Sequence, residues 1–400
     1  MANLPLDGIR ILDLTIWQQG TYATTMLADM GADVIKIESD ANPDPGRAPR
    51  EGGERNWYFH SLNRGKRSLV LDLKTDAGQT VFWKLVETAD VVHNNLRYGV
   101  LERLGITFER IQSVNPKCIL SNASGWGHLG PDAYRGAMDT LAQARGGYMS
   151  VTGEGADGPP TMAGFPQADQ VGAFVSGYSI LLALFHRGRT GEAQEVNTSL
   201  YGTQLALQSF GITSAMWTGE FRGRLTHEER RPTWNHFMAG DGKWFMIGAL
   251  PPDKWWREFC EVMGTPELRE GEFATHQLRM KRNAEVIRRM DEVSLTRTRD
   301  EWVADFKARN LLVEPVADYL EIAEDPQAWA NDYLVKVPDE TGTDWPMVGS
   351  PVHLSKSPAQ IRRQAPEFGQ HTEEVLIEAG YSWDEIETFR SQGAFGAPKA

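Results

Sequence analysis

Asp169 stands where a carboxylate has two uses. It follows a Gly-Phe-Pro turn at 164–166 and opens an apolar segment whose composition predicts a long buried helix. As a helix N-cap it would satisfy backbone donors and contribute about 1 kcal/mol. The partial positive charge of a helix start would also keep it ionised in apolar surroundings, and a fixed, ionised carboxylate is a nucleophile. Near the other end of the chain, Gln18 and the backbone N–H groups around Gln19 and Gly20 lie at the start of the first expected helix. By type and placement they are donors to a developing oxyanion. Metal chemistry has no such support: the nine histidines are scattered, with no His-Glu-x-x-His and no Cys-x-x-Cys.

These residues need a scaffold, and the first half of the chain supplies a regular one. Short apolar runs at 9–14, 33–38, 68–73, 90–95 and 118–125, with one more within 192–200, read as strands. Helical stretches lie between them, one over 21–31 ending at Gly31 and one starting near Thr75. Repeated βα alternation predicts an α/β fold with a doubly wound, mostly parallel sheet. The turn after the first strand, "DLTIWQQGTYA", has one glycine where a Gly-x-Gly-x-x-Gly fingerprint would need three, which argues against a nicotinamide dinucleotide. After a polar break at 226–231 the texture changes. "WNHFMAGDGKWFMIGAL" reads as a hairpin about Asp-Gly, followed by helices over 253–264, 277–294 and 298–310, the last with a Thr298/Glu301 capping box. We therefore expect a large domain over 1–225 completed by 330–400, and a smaller α+β domain over 232–310. Linkers fall at 226–231 and 311–329, and the C-terminal helix pair returns to the large domain.

Composition narrows the function classes. Four hundred residues exceed what one core supports, and 41% hydrophobic with 24% charged residues is globular. A net charge of −13 argues against nucleic acid as a partner, and a polyanionic ligand would need locally gathered Lys and Arg. No apolar run is expected to span a membrane, and the N-terminus does not read as a secretory signal. The two cysteines, Cys118 and Cys260, are read as buried small hydrophobes and the compartment as cytoplasmic.

Several strings in one order carry a resemblance: "GADVIKIE", "NRGKRSLVLDLKT", "LERLGI", "SGWGHLGP", "TGEGADGPP" followed by Asp169, "ALFHRGRTGEAQEV" and "FGQHTEEVLIEAGY". They resemble the family III CoA-transferases, of the formyl-CoA transferase and carnitine CoA-transferase type, over nearly the whole chain. The resemblance implies coenzyme A as the bound carrier, an acyl-CoA donor, a small carboxylic acid acceptor, no metal, and an interlocked homodimer. It makes Asp169 the catalytic nucleophile and Gln18 its catalytic partner. It assigns coenzyme A contacts to Gln19, to Leu71, Asp72, Leu73 and Lys74, to Asn95, Leu96 and Arg97, to Arg103, and to Met138 and Asp139.

Two departures from the family pattern stand out. Ser39 follows "VIKIE" where formyl-CoA transferase has a coenzyme A arginine, leaving Arg47 or Arg50 as substitutes. The mobile Gly-rich loop of that enzyme is absent, so oxalate specificity is unsupported. Trp17, beside Gln18, hints at an altered acyl pocket, and His128 lies in a loop that approaches the family's site. Two other readings of the family remain open: a 2-methylacyl-CoA racemase or epimerase, and a catalytically silent coenzyme A-binding subunit. Family racemases place a proton-carrying histidine before an aspartate; here that dipeptide is Met138-Asp139.

Overall fold

A computed structural model of the chain describes residues 4–49 and 56–396; Arg50, one of the substitutes named for the lost arginine, lies outside them. The strands are β1 (Arg10–Leu14), β2 (Asp33–Glu38), β3 (Arg67–Val70), β4 (Val91–Asn94), β5 (Ile119–Ser124) and β6 (Glu195–Ser199). All pair in parallel, in the order β3-β2-β1-β4-β5-β6. The strand expected over 68–73 stops at Val70, because the Asp72 carbonyl takes the Thr75 hydroxyl at 3.0 Å and turns the chain into the next helix.

Alternate residues of each strand go to opposite faces. Leu12, Ile35, Ile37, Val92 and Leu120 join one core cluster; Ile11, Val34, Val91 and Ile119 join another. Helices therefore cover both sides, as a parallel sheet requires. They are α1 (Gln19–Asp29), α2 (Trp57–Asn63), α3 (Asp76–Val86), α4 (Val100–Arg103), α5 (Phe108–Val114), α6 (Asp139–Arg145), α7 (Gln167–Thr190) and α8 (Leu200–Leu207); the next helix, α9 (Ser209–Thr218), has no buried residue. Helix α7 packs against α1 through Ala173, Ser176, Gly177, Ile180 and Ala183. It departs from the buried helix expected: Phe174, Tyr178, Leu181, Leu182 and Phe185 are exposed on its other side. By length and composition α7 is also apolar enough to cross a membrane, where no such run was expected.

The chain divides into two compact units, one of 1–148, 162–213 and 326–400 and the other of 149–161 and 214–325. The second holds an antiparallel sheet of β7 (Trp234–Met238), β8 (Trp244–Gly248) and β9 (Val313–Pro315). Around it lie α10 (Trp256–Met263), α11 (His276–Lys281), α12 (Asn283–Ser294) and α13 (Arg299–Ala308), the last with its Thr298/Glu301 capping box. A single helix was expected over 277–294. It breaks at Arg282 because the Asn283 amide is drawn to the carbonyls of Glu228 and Arg230, at 2.6 and 2.7 Å. After the hairpin β10 (Leu334–Pro338) and β11 (Asp344–Val348), helices α14 (Thr372–Glu378) and α15 (Trp383–Ser391) place Val375, Leu376 and Ile386 in the cluster beneath β3.

Candidate active site

The strand order reverses between β1 and β4, and open α/β sheets bind ligands there, outside the carboxyl ends of the strands. The loops leaving those strands, 15–18 and 95–97, are stitched together by one side chain. Asn95 Oδ1 accepts the Ile16 N–H at 2.9 Å, and Asn95 Nδ2 donates to the Ile16 carbonyl at 2.7 Å. Trp17 is left-handed, with φ 60°, a conformation costly for a bulky residue. Asp44 Oδ1 accepts its N–H at 3.0 Å, and Asp44 Oδ2 pairs with Lys36 Nζ at 2.8 Å. Lys36 also donates to the Thr15 carbonyl at 2.7 Å. Gly20 lets the first turn of α1 close on this loop, since a Cβ there would lie 2.5 Å from Thr15 Cγ2. Beneath it Lys66 Nζ meets Asp13 Oδ2 at 2.9 Å, both fully buried. Burial alone would raise the Asp13 carboxyl, but Lys66 and Lys36 outweigh it and hold it well below the usual range.

A cavity of about 600 Å³ opens at this point, and Asp169 lines it together with Gln18, Gln19, Asn95, Leu96, Arg97, Met138 and Asp139. Asp169 does not cap α7. The cap position is Pro166, and the backbone N–H groups of Ala168 and Asp169 donate to Asp139 Oδ1 at 2.6 and 3.0 Å. Asp139 Oδ2 accepts from Gln143 Nε2 at 2.6 Å, so this carboxylate is fixed from three sides. Asp169, half-buried, makes no side-chain hydrogen bond or ion pair among the described residues. Burial, with the nearby Asp139 charge, pushes its carboxyl up to about 7. The helix start was expected to keep Asp169 ionised at ordinary pH. Its free N–H groups instead serve Asp139.

The Gln18 amide does not face Asp169. Its Nε2 donates to Gln170 Oε1 at 2.7 Å, and Gln170, the residue after Asp169, carried no mark in the sequence. Gln19 is buried, with its Nε2 lacking a hydrogen-bond partner among the described residues. Asn95 has both amide atoms engaged by Ile16, which leaves neither for a ligand without breaking the stitch. Arg97 is exposed, and its guanidinium makes no ion pair among the described residues.

Leu71, Asp72, Leu73, Lys74 and Arg103 do not line this cavity. They form a neighbouring group, held together by Gln79 Nε2, which donates to the carbonyls of Leu73 and Leu104 at 2.7 and 3.0 Å. The Leu71 side chain is in the core, and the N–H groups of Leu71 and Asp72 donate to the Glu38 and Ala394 carbonyls, both at 2.7 Å. Lys74 and Arg103 are exposed and make no ion pair among the described residues. Arg47 is no free substitute for the lost arginine: it forks onto Glu38 at 2.8 and 2.7 Å and lies 3.9 Å over the Phe59 ring. His128 is exposed and lies off the cavity lining. Cys118 and Cys260 are buried thiols, each pushed up to about 12 by burial, and so chemically quiet.

Residues 6–372 match the family model described as CoA-transferase family III. The succinate–glutarate CoA-transferase of Agrobacterium fabrum is 34% identical over 385 residues, which cover 94% of this chain and 95% of that protein. The succinyl-CoA:mesaconate CoA-transferase of Haloarcula marismortui is 35% identical over 388 residues, covering 94% of this chain and 96% of that one. A crystal structure of a CaiB/BaiF family protein from Brucella suis superimposes with a TM-score of 0.84 at 29% identity, over 94% of this chain and 100% of its own. A doubly wound sheet, a cavity at its switch point and a match spanning most of the sequence agree: the chain belongs to family III of the CoA-transferases.

Proposed function

We propose that the enzyme moves coenzyme A from an acyl-CoA donor to a carboxylic acid through covalent intermediates on Asp169. The observation that carries this reading is a carboxylate without a partner among the described residues, lining one cavity with the Gln19 amide, whose Nε2 is likewise unpaired among them, and the Arg97 guanidinium. An Asp169 oxygen attacks the donor thioester carbon; the C–S bond breaks and the electron pair leaves on the coenzyme A thiolate. The thiolate then attacks the aspartyl carbonyl of the mixed anhydride and expels the donor's carboxylate, leaving an aspartyl thioester. The acceptor carboxylate attacks that thioester and releases thiolate again. The thiolate takes the acceptor's acyl carbon, and Asp169 returns as a carboxylate. Each tetrahedral intermediate needs donors at its oxygen, which Gln18, Gln19 and the first N–H groups of α1 can supply.

In this reading the phosphates of coenzyme A lie toward Lys74, Arg97 and Arg103, three exposed cations without carboxylate partners among the described residues, in a protein of net charge −13. The relatives' names include succinate, glutarate and mesaconate, which supports transfer between carboxylic acids. The outer face of α7 and the following α9, where Phe210 is 86% and Trp217 85% exposed, supports an interlocked homodimer. The proposed compartment is the cytoplasm. A silent coenzyme A-binding subunit would have no need of a half-buried carboxylate that makes no ion pair among the described residues.

Mass spectrometry of the Asp169 peptide during turnover tests the reading. Acyl or coenzyme A mass should appear on that peptide and nowhere else. Turnover by Asp169→Ala would overturn it.

A further inference from the structure

We infer that a second chamber, across Gln18 from Asp169, receives the carbon skeleton of the carboxylic acid and selects acids with a bulky apolar tail; this rests on the transferase reading above. The chamber measures about 950 Å³ and is lined by Tyr22, Trp57, Leu62, Trp345, Met347 and Val348. That size matches a site for a small organic molecule, about 300–1,000 Å³. It is no separate groove. Gln18, Tyr58, Phe165 and Pro166 line both it and the Asp169 cavity, so the two spaces share a wall. The wall is closed by the 2.7 Å hydrogen bond between Gln18 and Gln170, two uncharged side chains free to re-pair when a carboxyl group arrives.

The chemistry of the lining decides what fits. Among the described residues the lining side chains able to carry positive charge are His60 and Arg64; Asp29 holds Arg64 in a buried pair at 2.8 Å, with side-chain exposures of 2% and 1%, which leaves one imidazole, beside the uncharged Ser61 and Gln364, to meet an acid's second charge. A second carboxylate on the acid would enter an aromatic space whose arginine is already neutralised, and an uncompensated charge there is unfavourable. A phenyl or alkyl tail instead removes apolar surface from water on both sides. An acid placed with its carboxyl carbon at Asp169 and its tail past Gln18 also turns the Gln18 amide off Gln170 and toward the reacting oxygen. Tail recognition and donor placement are thereby the same event.

The test is an acceptor panel of acetate, succinate, glutarate, hexanoate and phenylacetate. Each is offered with acetyl-, succinyl- and benzoyl-CoA to the purified wild-type enzyme, and the acyl-CoA products are identified by mass spectrometry. Hexanoate and phenylacetate should exceed succinate and glutarate at least tenfold in kcat/KM with whichever donor works. Met347→Trp, which fills the chamber, should lower hexanoate and phenylacetate at least tenfold and leave acetate within twofold. Val348→Trp, at the exposed rim, should act in the same direction and guards against misfolding of the first variant. Preference for succinate or glutarate, or equal loss for acetate and phenylacetate in both variants, overturns the chamber assignment while the transferase reading stands. Absence of any transfer, with no mass on Asp169, overturns that reading and the chamber with it.

Discussion

Asp139 Oδ1 accepts the backbone N–H of Asp169 at 3.0 Å, so one acidic residue caps the helix on which the other is displayed. Their side chains repel, and that repulsion adds to burial in raising Asp169 to about 7. Asp139→Asn keeps an acceptor for the two N–H groups but removes the charge. Its pH–rate profile for the donor half-reaction should shift to lower pH relative to wild type, with folding nearly unchanged. Asp139→Ala removes the cap as well and should cost about 0.5–2 kcal/mol in urea denaturation.

The wild-type donor half-reaction should rise with pH through about 7, because the attacking carboxylate must be ionised. A profile flat from pH 5 to 9 would contradict the raised Asp169.

Asp169→Asn should abolish transfer without weakening the helix, since the Asp169 side chain makes no cap bond. The sign of its stability effect follows from linkage. The unfolded chain ionises Asp169 near 3.8 and the folded chain near 7, so the wild type loses stability between those values and keeps that loss above them. Asn has no such loss. Tm measured at pH 8 should therefore be higher in the variant by a few degrees, at about 1 °C per kcal/mol for a chain of this length, and the gain should shrink at pH 4.

Asp44→Ala removes the partner of a fully buried Lys36 and the acceptor of the Trp17 N–H. Loss of one member of such a pair costs about 3–5 kcal/mol. Chemical denaturation should show it as a lower midpoint with an unchanged slope.

Met138 lines the cavity and is 61% exposed, at the position where a racemase needs a proton carrier. A thioether moves no proton. Incubation with 2-methylacyl-CoA in deuterium oxide, without an acceptor acid, should leave the α-carbon unlabelled. Exchange with inversion would favour the racemase.

The sheet was legible because β1, β2, β4 and β5 are short apolar runs separated by helix caps, and both faces of each are buried. Asp169 stood out because a carboxylate before an apolar helix is an anomaly, whereas the dipeptide at 138–139 has no local signal and came only from the resemblance to the family. What was not legible is long-range. That Asp139 rather than Asp169 caps α7 depends on a contact 30 residues apart in sequence. Gln170 carries no local mark; only the folded loop at 15–18 makes it the acceptor for Gln18. Arg47 read as a free cation, because nothing in its neighbourhood announces the fork onto Glu38. The split at Arg282 was missed for a related reason: a polar side chain was claimed by carbonyls more than 50 residues away.

Asn95 remains, with its amide fastened at both ends to Ile16. A residue fixed in this way works as a rivet between the two halves of the sheet. A shift of the backbone at Leu96 and Arg97 is carried through that amide to Ile16, beside Trp17 and Gln18. Redesign of either rim is consequently redesign of both: the mouth of this enzyme cannot be widened on one side alone.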